Sequence, residues 1–113
     1  MSIYISNIEI KWIGGYCPVQ AEGSIEYSHN GETERRDFLF RARHDSWLIQ
    51  FNFDNELLKG SKLIGCGKYG ERFDAGYMSI FTALRIIADA FEKWSKSSEE
   101  LIKIDYPKED IAK

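Results

Sequence analysis

Asn30-Gly31 constrains this chain more than any other pair of residues, because it stands between two alternating runs and fixes how they face each other. Both positions of an Asn-Gly turn tolerate φ > 0, so a two-residue hairpin closes there. Closing it sets Val19 opposite Ala42, Ala21 opposite Phe40 and Gly23 opposite Phe38. Every second residue of each run then joins one apolar face. A slip by one residue would turn that whole set toward solvent. Small residues on one strand meet phenylalanines on the other, which fills space efficiently.

The same reasoning extends to both sides. Residues 3–12, 17–27, 35–43 and 46–53 alternate and are rich in Ile, Val, Tyr, Phe and Trp, as strands are. A turn at His44-Asp45 sets Ala42 opposite Trp47, Phe40 opposite Ile49 and Phe38 opposite Phe51, so Trp47 belongs to the core. A turn at Gly14-Gly15 sets Trp12 opposite Cys17, Ile10 opposite Val19, Ile8 opposite Ala21 and Tyr4 opposite Ile25. The expectation is an antiparallel meander in the order 1-2-3-4.

Its apolar face needs a cover, and residues 79–96 supply one. Ile80, Leu84, Ile87, Phe91 and Trp94 recur at helical spacing, flanked by Ala83 and Ala90. Arg85, Asp89, Glu92 and Lys93 lie opposite, with Arg85–Asp89 and Asp89–Lys93 four residues apart. Ser79 is placed to cap the start. Ile86 sits off the stripe and faces the segment 101–106, which either adds a short strand or lies over the helix. Residues 59–77 are glycine-rich and read as a long loop, with 62–66 the candidate for a further short strand. The final residues, KEDIAK, should fray. The fold expected is a single α+β domain over 1–113: a four- or five-stranded antiparallel meander with one long C-terminal helix on its apolar face.

Composition narrows the function classes. Fifteen basic and 18 acidic residues give 113 residues a net charge of −3, which argues against non-specific nucleic-acid binding. No apolar run approaches the roughly 20 residues that span a bilayer. The opening MSIYISNIEIKW has neither a basic nor an apolar leader region. Cys17 and Cys66 are the only cysteines and His29 and His44 the only histidines, without metal-ligand spacing. The expectation is a cytoplasmic protein with reduced thiols, no metal, no cofactor and no membrane association.

Three groups of residues are candidates for chemistry. The polar sheet face carries Gln20, Glu22, Ser24 and Glu26 beside Arg35, Asp37, Leu39, Arg41 and Arg43. A solvated face with weak cross-strand ion pairs is the commoner outcome. The sharper reading is an arginine-centred site in which Arg41 and Arg43, with Gln20 and Glu22, hold a phosphorylated or nucleotide ligand. Leu39 and Leu48 interrupt the polarity, which makes the face a candidate surface for a homo-oligomer. The second group is Cys17 with His44, set close by the register; such a pair can form a thiolate nucleophile, although buried structural cysteine is commoner. A Glu22–Asp74 carboxylate pair is weaker, since no spacing fixes their distance. The third is the segment 65–77, where Lys68, Tyr69, Arg72, Phe73, Asp74 and Tyr77 mix charge and aromatics in a way that suits binding to a partner protein or a stacked base. It lacks the spacing of a phosphate-binding loop or dinucleotide fingerprint.

At GGYCPVQAEGSI (14–25) and FLFRARHDSW (38–47) the chain resembles a group of small bacterial and phage-associated proteins that carry CPVQAEG and FRARxxxW motifs. The DAGYM run (74–78) resembles them too. The resemblance implies that Cys17, Gln20, Glu22, Arg41, Arg43, Trp47 and Asp74 belong to motifs, and it supplies no activity. The function expected is therefore a protein-binding module, of the inhibitor or immunity-like kind found on mobile elements. Acidic residues Glu32, Glu34, Glu56, Glu71, Asp74, Glu99 and Glu100 would steer it to a basic target. An anionic small-molecule binder and a small Cys/His enzyme are the alternatives.

Overall fold

The computed structural model describes residues 3–54, 59–72, 74–97 and 101–107. Glu56, Phe73, Glu99, Glu100 and the KEDIAK end fall outside them. Strands β1 (Tyr4–Gly14), β2 (Val19–His29), β3 (Glu32–Arg43), β4 (Ser46–Asp54) and β5 (Lys59–Lys68) precede a 3-10 turn (Asp74–Tyr77). Helix α1 (Ile80–Ser95) and the two-residue β6 (Ile102–Lys103) follow. All six strands form one sheet in sequence order, antiparallel throughout except for the parallel β5–β6 pair.

The two central hairpins have the expected registers. Val19 pairs with Ala42, Ala21 with Phe40 and Gly23 with Phe38. Phe40 pairs with Ile49 and Phe38 with Phe51 across the next hairpin. Asn30 and Gly31 both adopt positive φ, 55° and 81°, as their turn requires. Trp47 is buried, and its Nε1–H donates to the Ile104 carbonyl at 3.1 Å.

The first hairpin differs from expectation. Ile8 pairs with Ile25 and Ile10 with Gly23, not with Ala21 and Val19. Pro18 cannot donate to a ladder, and the Cys17 N–H is bound to the Gly76 carbonyl at 3.0 Å. Both residues therefore belong to the turn, which spans Gly15 to Pro18, and β2 begins at Val19. Two bulges, at Ser6 and Lys11, then shift β1 against β2. The second puts Trp12 opposite Glu22, on the polar face, not in the apolar set.

The 59–77 segment is not a long loop. Its first ten residues are β5, paired along its length with β4. Its glycines mark close approach. A methyl on Gly65 would lie 3.1 Å from Ile102 and 3.2 Å from Ile49. One on Gly67 would fall on the Ile104 carbonyl oxygen. The residues after the helix dock on this edge, so of the 101–106 segment Ile102–Lys103 returns as a two-residue strand and Tyr106 adds a single bridge to Tyr69.

Helix α1 lies across the opposite face. The Ser79 Oγ accepts from the Thr82 N–H at 3.1 Å, capping it as expected. Its buried residues are Ala83, Ile86, Ile87, Ala90, Phe91 and Trp94. Ile80 and Leu84, expected in the core, are exposed. The buried face is centred on the two alanines, which let the helix axis approach the sheet, and it takes in Ile86. Phe91 meets Phe38 edge-on at 5.0 Å, and Trp94 meets Tyr27 and Phe51 edge-on at 5.1 and 5.3 Å. The chain around the helix is tied to both sheet edges. The Ile3 N–H donates to the Ser95 carbonyl at 2.9 Å. The Tyr106 hydroxyl donates to Asp89 at 3.0 Å, beside an Arg85–Asp89 contact of 3.8 Å. Burial and the Asp89 carboxylate hold the Tyr106 phenol well above its ordinary range, against a smaller opposing effect of Arg85. No helix among the described residues is long and apolar enough to cross a membrane.

Candidate functional site

Among the described residues, two surfaces carry apolar side chains outside the core. The first is the sheet face turned away from α1. Alternation on β2 sends Gln20, Glu22 and Glu26 outward, and the registers place Arg41 opposite Gln20 and Arg35 opposite Glu26. With its amide oxygen turned to the arginine, Gln20 accepts from Arg41 Nε and Nη2, both at 3.2 Å. Arg35 donates to Ser24 Oγ at 3.2 Å, and Lys11 reaches across β2 to Asp37 at 3.6 Å. Glu22 lies beside that pair, in a shallow depression that also includes Asn52. Arg43 is exposed at the end of the same strand. Set among these polar groups are four apolar side chains on the same face: Trp12, Leu39, Leu48 and Leu63.

The second surface is at the end of the molecule where the β1–β2 turn meets the start of α1. Tyr16 and Tyr77 stack at a tilt with ring centres 6.1 Å apart. Their exposures are 77% and 64%. Ile80 follows, then Phe81 at 77% exposure, with Leu84 one turn on. Tyr16, Tyr77, Met78 and Ile80 line an open cleft of about 380 Å³ floored by Gly14 and Gly15. The Cys17 backbone is bound to Gly76, and its side chain sits so close that a methyl on Gly76 would lie 2.8 Å from Sγ. A hydrogen bond from the Tyr77 hydroxyl to this sulfur, and then charge on the sulfur, hold the Tyr77 phenol above its ordinary range.

The expected site residues divide between these places. Gln20, Glu22, Arg41 and Arg43 share the open sheet face. Cys17 and His44 are both tied to the 3-10 turn by backbone: the Ala75 N–H donates to the His44 carbonyl at 2.9 Å, one residue from the Cys17 bond to Gly76. Both residues have positive φ, 40° and 57°. Both cysteines are free thiols. Asp74 accepts from the Glu71 N–H at 2.8 Å and so closes the turn around Arg72, while Glu22 is on the open face. Lys68 pairs with Asp45 at 3.2 Å. Tyr69 is buried against Tyr106, with ring centres 6.3 Å apart. Arg72 is exposed at positive φ. Among the described residues, no group of three or more His, Cys, Asp or Glu converges on a point that could hold a metal.

Sequence reasoning missed Tyr16, Ile80, Phe81 and Leu84 as surface, and Trp12 with them. The helical period identified an apolar stripe but could not say that five such positions exceed what one sheet covers. Phe81 was the available signal, because it is a large apolar residue that lies off the stripe. Comparison with protein-family models, with curated proteins and with solved structures finds no match to this chain.

Proposed function

We propose that this chain is a protein-binding module that engages its partner through the apolar end built from Tyr16, Tyr77, Ile80, Phe81 and Leu84. The observation that carries the reading is the cluster itself: five large exposed apolar side chains, of which Tyr16, Tyr77 and Ile80 line an open cleft and Phe81 and Leu84 continue along the first turns of α1. Contiguous apolar surface with an aromatic anchor is the physical signature of a binding site on a folded protein. The cleft is lined by Tyr16, Tyr77, Met78 and Ile80 together with Gly14 and Gly15, so it suits an apolar side chain projecting from the partner. The Cys17 N–H bond to the Gly76 carbonyl and the close Gly76–Cys17 approach hold the β1–β2 turn against the 3-10 turn, so the surface is organised before binding. A role as an inhibitor or immunity-like protein fits a single small domain whose net charge of −3 would favour a basic target.

The test is site-specific photocrosslinking in the native host, with the reactive group placed at Phe81 and, separately, at Thr33 at the far end of β3. A discrete adduct formed from Phe81 alone, and lost in Tyr16→Ser with unchanged thermal stability, is the expected result. Equal labelling from both positions, or an adduct indifferent to Tyr16→Ser, would remove this surface from consideration.

A further inference from the structure

We draw no further inference here: the strongest candidate, the face of the sheet turned away from α1, where Trp12, Leu39, Leu48 and Leu63 stand among charged side chains, carries nothing because nothing in the structure shows what covers it.

Discussion

Phe38 and Leu39 are adjacent on β3 and point to opposite sides of one sheet. Phe38 is buried under α1 and meets Phe91 edge-on at 5.0 Å, while Leu39 is half-buried on a face that no element among the described residues covers. The covered face is almost wholly apolar and aromatic. The bare face mixes leucines and a tryptophan with carboxylates, arginines and glutamines. Apolar burial is what folds the chain, and it is concentrated on one side. What the second side carries is therefore free to serve contact with another molecule.

Truncating each of the two neighbours is the strongest way to break that comparison. Phe38→Ala should cost the isolated chain about 3–5 kcal/mol, because it opens a cavity in a packed core. Leu39→Ala should cost under about 1 kcal/mol, as surface substitutions away from special features do. Urea unfolding measures both. Comparable losses would mean that the bare face also contributes to the core.

A second contrast lies along the sheet, between its centre and the β5 edge. Gly67→Ala should destabilise by about 1–3 kcal/mol, since a methyl there displaces the Ile104 carbonyl and with it the docked C-terminal segment. Amide exchange should locate the damage: faster exchange at Ile104 and Tyr106, whose N–H groups bond to Cys66 and Lys68, with β2 and β3 unaffected. Uniform acceleration would show that the edge is continuous with the centre. At the other end of the molecule, Ser79→Ala should cost about 1 kcal/mol through loss of the helix cap. Thermal unfolding detects it. Because Ile80 and Phe81 follow directly, that variant also tests whether the apolar end depends on the first helical turn for its shape.

These regions differ in how far the sequence reveals them. The β2–β3–β4 registers were legible because two-residue turns and strict alternation over-determine them: Ala21, Gly23, Phe38 and Phe40 admit only one phase. The Ser79 cap and the helix were legible for the same reason, local chemistry agreeing with period. The first hairpin was not, because bulges at Ser6 and Lys11 break the period of two, and the bond that pins Cys17 comes from Gly76, far along the chain. β5 was obscured by its own glycines. Gly65 and Gly67 look like loop residues until Ile102 and Ile104 are seen to need the space. Of the site, Gln20 beside Arg41 was legible from the register. The apolar end was not, because it depends on which side of the helix the two alanines turn inward.

The smallest expected effect concerns the clamp that ties the C-terminal segment to the helix, and it appears only at high pH. The Tyr106 hydroxyl donates to Asp89, and burial beside that carboxylate raises its pKa above the ordinary value near 10. The folded state therefore keeps the proton after the unfolded chain has lost it. A group raised in this way contributes stability that is fully present below about pH 10 and is lost as pH rises from there through the folded-state value. Tyr106→Phe removes the titrating group and the hydrogen bond together. At neutral pH it should cost about 1 kcal/mol, the net worth of one such bond. Above pH 10 the wild type should lose stability more steeply than the variant, so the gap between them narrows as pH rises. Urea midpoints measured for both proteins from neutral pH to about pH 11, past the reference tyrosine value, give that gap directly. Because the other tyrosines and the lysines titrate in both chains, their contributions cancel in the difference. Parallel curves would mean that Tyr106 ionises equally in the folded and unfolded states, and that the Asp89 contact does not anchor the segment.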